Sequence, residues 1–116
     1  GNTANGTTSL YSNTTGSNNI ANGTNSLYSN TTGDDNIANG TNSLYYNTTG
    51  SSNSANGSHS LFNNITGSNN TAIGTQSAYQ IVTTGGTTPN TTIGYQALFG
   101  GSGTASANTA YDNVAI

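Results

Sequence analysis

A 17-residue period runs through this chain and constrains its fold more than any single motif. Gly6, Gly23, Gly40, Gly57 and Gly74 share one phase of it. Leu10, Leu27, Leu44, Leu61 and Ala78 share another, each followed by an aromatic: Tyr11, Tyr28, Tyr45, Phe62 or Tyr79. A third phase carries Asn13, Asn30, Asn47 and Asn64, each heading an Asn-x-Thr triplet that runs into Gly16, Gly33, Gly50 or Gly67. A period held this strictly means one supersecondary unit stacked on copies of itself. Function in such a chain is structural or is carried by a repeated surface, and a single pocket is not expected.

The unit does not read as a helix, because Gly, Asn, Ser and Thr dominate and glycine recurs too often for a helix interior. Short strands joined by turns fit better. One strand is expected around Asn19 to Asn22 and a second around Ser26 to Asn30, with turns at Gly23-Thr24 and Thr32-Gly33-Asp34. Two short strands and two turns make one coil of an all-β parallel β-solenoid, and the 116 residues supply about six to seven coils. Residues 1–82 read as five regular coils, 83–89 as an inserted loop that protrudes, and 90–116 as a variant coil with a truncated terminal motif.

Composition narrows the function classes. The chain has no Lys or Arg, three acids (Asp34, Asp35 and Asp112) and one histidine, His59. It lacks the basic footprint needed to hold nucleic acid or anionic lipid. It has no cysteine for a disulfide framework or a thiolate metal site. No apolar run approaches the length of a membrane span and no signal peptide is visible, so a secreted protein would be represented by its mature part. Polar, glycine-rich composition ordinarily favours disorder. Leucine–aromatic pairs at a fixed phase argue for order instead.

The run Asn70-Thr71-Ala72-Ile73-Gly74-Thr75-Gln76-Ser77-Ala78-Tyr79, and Asn90-Thr91-Thr92-Ile93-Gly94-Tyr95-Gln96-Ala97-Leu98, resemble the repeats in head domains of trimeric autotransporter adhesins. Similar runs occur in some phage tail-fibre and bacterial surface proteins. The resemblance implies a left-handed parallel β-roll, usually trimeric, displayed outside the cell and used for adhesion. The chain departs from it in two ways. Its 17-residue coil is longer than is typical of those heads, and Asn5, Asn22, Asn39 and Asn56 stand where the motif has Ile73 and Ile93.

If every coil has the same shape, Leu10, Leu27, Leu44, Leu61, Ala78 and Leu98 must form one stacked column, with Tyr11, Tyr28, Tyr45, Phe62 and Tyr79 beside it as core or interface. Asn19, Asn36, Asn53 and Asn70 are placed to hydrogen-bond along the axis as stacked amides do in cross-β assemblies. Each coil offers few apolar side chains, so burial against other chains is expected as well. Ile116 followed by Gly1 restores the triplet Ala-Ile-Gly. Either the sequence is a window on a longer chain, or subunits stack end to end through Gly1, Asn2, Asn113, Val114 and Ile116.

Ten Asn-x-Ser/Thr sequons mark candidate N-glycosylation sites. Asn13, Asn30, Asn47 and Asn64, in Asn-x-Thr-Gly turns, are expected to be exposed acceptors, with Asn90 beside them. Asn5, Asn22, Asn39 and Asn56, at the isoleucine phase, are expected to point inward, and they rank lower together with Asn69. Thr14-Thr15, Thr31-Thr32, Thr48-Thr49 and Thr66 could form a hydroxyl array of the kind that binds ice. Asp34 and Asp35 form a weak candidate for a cation, being more often a solvated turn. His59 stands where other coils have Asn25 and Asn42, a tolerated surface substitution. No catalytic constellation is placed by the repeat, so neither enzymatic activity nor a cofactor is expected. The first reading is an extracellular or cell-surface structural fibre subunit that self-assembles by coil stacking and carries glycans. Its expected partners are itself and glycans, covalently attached or bound, without nucleic acid or membrane insertion. A trimeric adhesin or tail-fibre head is the second reading, and an ice-binding solenoid the third.

Overall fold

The computed structural model describes residues 1–81, 89–100 and 113–116. These contain no helix and build one seven-stranded parallel sheet in the order β1-β2-β3-β4-β5-β6-β7. The strands are β1 (Thr3–Asn5), β2 (Ile20–Asn22), β3 (Ile37–Asn39), β4 (Ser54–Asn56), β5 (Thr71–Ile73), β6 (Asn90–Ile93) and β7 (Asn113–Ala115). Strand order equals chain order, and Ala4 pairs with Ala21, Ala21 with Ala38 and Ala38 with Ala55. The chain is therefore a β-solenoid whose repeat is its register. The inserted loop expected at 83–89, apart from Pro89, and the stretch holding Asn108 to Asp112 lie outside the described residues.

Within each strand the pleat sends the middle residue inward. Ala21, Ala38, Ala55 and Ala72 are fully buried, while Ile20, Asn22, Ile37 and Asn39 face outward. Only a small side chain suits that inner position, because the coil is narrow and the opposite wall is close. That wall is formed by Leu27, Leu44 and Leu61, each at 0% exposure, with Ala78 and Ile81 continuing the core. Leu10 is half-buried against it, and Leu98 is 36% exposed.

The second strand expected over Ser26 to Asn30 is corrected: those residues form turns, and each repeat contributes one strand. The reason lies in the backbone. Asn25 and Leu27 take φ of 57° and 50°, and the same pair recurs at Asn42 and Leu44 and at His59 and Leu61. A left-handed conformation at every second residue curls the chain and cannot extend it. Leucine tolerates this poorly by itself, at a cost of about 1–2 kcal/mol. Burial of its side chain and the bond from Leu27 N–H to the Ser43 carbonyl (3.0 Å) offset that cost.

Two glycine columns set the spacing of the coils. Gly40 has φ 137°, and a Cβ there would lie 2.6 Å from the carbonyl carbon of Gly57 in the next coil. Gly33 has no such φ, yet a Cβ would overlap the Gly50 carbonyl oxygen and Oδ1 of Asn30. The first column requires glycine for its conformation, the second for close approach alone.

Candidate functional site

The distinctive chemistry of this solenoid is its stacked amides. Asn19, Asn36, Asn53, Asn70 and Asn90 are buried in one column. Nδ2 of Asn36 donates to Oδ1 of Asn19 at 3.1 Å, and Asn53 and Asn70 repeat the bond at 3.0 Å each. Each Oδ1 also accepts the backbone N–H of the asparagine one coil on, as in Asn53 N–H to Asn36 Oδ1 (3.0 Å). A second buried column runs through Asn30, Asn47 and Asn64, with Nδ2 of Asn47 donating to Oδ1 of Asn30 at 2.8 Å. The two columns meet on shared carbonyls: the Gly50 oxygen accepts from Asn36 at 2.8 Å and from Asn47 at 2.9 Å. Buried polar groups are tolerable when satisfied, and here each amide closes bonds along and across the axis.

This reverses the expected roles of the two asparagine phases. The Asn13, Asn30, Asn47 and Asn64 phase is not an exposed turn: Asn30, Asn47 and Asn64 are at 0% exposure, and Asn13 is half-buried with Nδ2 on the Gly16 carbonyl (2.9 Å). Asn90 is buried as well, at 4%. Asn22, Asn39 and Asn56 do not point inward. They lie half-buried on the outer sheet face, where Ile73 and Ile93 are 44% and 41% exposed. The physical reason is the pleat, since Ala21 occupies the inward position and its neighbours must face out. Along this face Asn22 donates to Asn39 at 2.9 Å, and Asn39 to Asn56 at 2.8 Å. The outer ladder therefore donates toward the C-terminal coils, opposite in sense to the two inner ones. Asn5 and Asn69 are exposed.

The aromatic residues form a third column, on the surface. Tyr11, Tyr28, Tyr45, Phe62, Tyr79 and Phe99 stack with centroids 5.0–5.3 Å apart, and the Tyr11–Tyr28 and Tyr28–Tyr45 planes are within 4° of parallel. Tyr46 meets Tyr45 edge-on at 4.7 Å. Rings stacked this closely cover one another's faces and present their edges, so the column has no free face along its length on which a sugar ring could lie. Tyr11 is the most open member, at 68% exposure.

The remaining candidates are structural in their contacts. Thr14, Thr31 and Thr48 donate their hydroxyls to backbone carbonyls of the following coil at 2.8–3.0 Å, Thr14 from an exposed position and the other two half-buried. Thr15, Thr32 and Thr49 are exposed. Asp34 and Asp35 are exposed, and Asp34 Oδ1 accepts the Ser17 N–H at 2.7 Å. No group of three or more acids and histidines able to hold a metal ion occurs among the described residues. Gly1 and Asn2 are exposed, as is Ile116, and Asn2 Nδ2 donates to the Gly16 carbonyl at 2.7 Å. Asn113 and Val114 pair in β7, with Asn113 opposite Asn90. Among the described residues no helix is long and apolar enough to cross a membrane.

His59 sits in a column of its own. Asn25 Nδ2 donates to Asn42 Oδ1 at 3.0 Å, which leaves Asn42 Nδ2 facing His59 Nε2 at 3.0 Å. Nε2 must then accept, so the ring proton is on Nδ1 and is donated to Ser58 Oγ at 2.9 Å. Ser58 Oγ accepts a hydrogen bond from this ring, so the histidine is not placed to take the serine's proton. The sequence offered no signal for the pairing except the 17-residue register itself. The burial of Asn30, Asn47 and Asn64 had one: a glycine always follows three residues on, as an amide folding back onto that carbonyl requires.

Compared with protein families, with curated proteins and with solved structures, the chain gives no match.

Proposed function

We propose that this chain is a structural segment of an extracellular fibre, a self-assembling solenoid of six to seven coils. The observation that carries the reading is translational: moving by one coil maps the bond Asn36 to Asn19 onto Asn53 to Asn36, and that onto Asn70 to Asn53. A coil presents along the axis the same pattern of donors and acceptors that it receives. Contacts of this head-to-tail kind are open and propagate. Ladder bonds and glycine contacts give stiffness along the axis, and a fibre uses that property directly. The partners on this reading are further copies of the chain and attached or bound glycans.

The trimeric adhesin or tail-fibre head is kept as a second reading because the six-ring aromatic column lies at the surface, where a neighbouring subunit could cover it. Sedimentation over a wide concentration range, with electron microscopy of the same samples, separates the two. Elongated particles that lengthen with concentration are expected. A closed trimer of fixed mass with saturable binding to a cell surface would replace the fibre reading with the adhesin one.

A further inference from the structure

The sequons of this chain are not equivalent once folded, and the difference is in Nδ2, the atom that a glycan transferase must use. Asn30 Nδ2 donates to Asn13 Oδ1 at 2.8 Å and to the Gly33 carbonyl at 3.0 Å, and Asn47 and Asn64 repeat that pair of bonds in the buried interior. Asn22 and Asn39 spend Nδ2 on the outer ladder, Asn56 on Ser54 Oγ at 3.4 Å, and buried Asn90 on Asn70 Oδ1 at 3.0 Å. A sugar on any of the inner amides would have to sit where the next coil packs.

We propose that Asn69 is the glycan acceptor of this fold, a site that rests on the extracellular reading above. Asn69 belongs to a column with Asn18, Asp35 and Ser52, all exposed and all in the left-handed conformation, with φ 64° at Asn69 itself. Its side chain makes no hydrogen bond among the described residues, and its backbone N–H is held by the Ser51 carbonyl at 3.0 Å. Strands pair on both sides of its coil, β4 with β5 and β5 with β6, so its exposure belongs to the side wall of the solenoid. The sequon is completed by Thr71, the first residue of β5, on the outer face where β2 and β3 carry Ile20 and Ile37. Asn70 between them points inward. The repeat does not generate this sequon automatically: at the same two phases Asn18 is followed by Ile20, Asp35 by Ile37 and Ser52 by Ser54, so only at this coil do Asn and Thr coincide. Asn5, in β1, is a second exposed sequon on the outer-ladder phase and is removed in the test below.

The chemistry is transfer from a lipid-pyrophosphate-linked oligosaccharide. Nδ2 of Asn69 forms a bond to the sugar C1 as the C1–O bond to pyrophosphate breaks. Nδ2 gives up one proton, and the lipid pyrophosphate leaves.

The test is to secrete the full chain, with Asn5→Gln, from a eukaryotic host and to map glycans residue by residue in the folded fraction. One glycan on Asn69 in most molecules is expected, with Asn30, Asn47 and Asn64 bare. Asn69→Gln, or Thr71→Val, should abolish the addition without changing the circular dichroism spectrum. A bare Asn69 in secreted, folded chain overturns the site, as does sugar on Asn30, Asn47 or Asn64 in molecules with the native spectrum. An occupied Asn69 in that host, with the chain found inside the cells of its natural source, would instead defeat the extracellular reading and leave the acceptor geometry standing.

Discussion

Replacing Asn36 by alanine measures what a buried amide ladder is worth. The Asn36 side chain takes part in four hydrogen bonds: Nδ2 to Asn19 Oδ1 and to the Gly50 carbonyl, and Oδ1 from the Asn53 N–H and from Asn53 Nδ2. Their loss is not uniform. Asn19 Oδ1 keeps the Asn36 backbone N–H, Gly50 keeps Asn47, and Asn53 Nδ2 keeps the Gly67 carbonyl. The Asn53 N–H alone loses its partner inside the protein. An orphaned buried donor costs about 1–3 kcal/mol, and the three partly compensated bonds together add about 1–2 kcal/mol. Asn36→Ala should therefore destabilise the fold by about 2–5 kcal/mol, a large share of the roughly 5–15 kcal/mol that a domain possesses. Asn36→Asp should cost more, since its carboxylate keeps the acceptor role but turns an anion toward Asn19 Oδ1 and the Gly50 oxygen. Asn22→Ala, on the outer ladder, should cost only about 1 kcal/mol. Urea unfolding followed by circular dichroism reads all three. If Asn36→Ala and Asn22→Ala lie within about 1 kcal/mol of each other, the interior amides do not carry the weight assigned to them.

Gly50→Ala should prevent stable folding, because its Cβ would overlap both the Gly67 carbonyl oxygen and Asn47 Oδ1; loss of the cooperative thermal transition is the readout. Leu44→Ala removes a fully buried side chain and should cost about 2–5 kcal/mol in the same urea assay. His59→Asn should raise stability by about 0.5–1 kcal/mol, seen as a higher melting temperature, because asparagine suits φ 58° better and restores an amide to the Asn25–Asn42 column. A lower melting temperature would mean that the ring contacts with Phe62 and Tyr79 outweigh both effects.

The period made the solenoid legible, because residues one repeat apart must occupy equivalent places if coils stack. The same logic placed Leu27, Leu44 and Leu61 together and Asn19, Asn36, Asn53 and Asn70 in a ladder. It could not say which way a phase points. Asn22 shares its phase with Ile73, and hydrophobicity suggested an inward column. The pleat gives the inner position to Ala21 and Ala72, leaving Ile73 outside. Leucine in a left-handed conformation was equally invisible, since no propensity favours it there and only the closed coil enforces it. The sequons misled for a related reason: a motif names the residue, and the fold decides whether its amide is free.

The three extra residues between β5 and β6 show how this architecture handles change. Thr71 pairs with Thr91 at an interval of 20, against 17 in the earlier coils, yet Asn90 still donates to Asn70 and the column continues unbroken. Sequence can thus be added between two strands while their pairing is kept, and whole coils can be duplicated or lost without creating a new kind of contact. Reach then becomes a countable property, altered in steps of about 4.8 Å per coil. A lineage carrying such a gene could tune the length of its product by unequal recombination alone, with no need to redesign an interface.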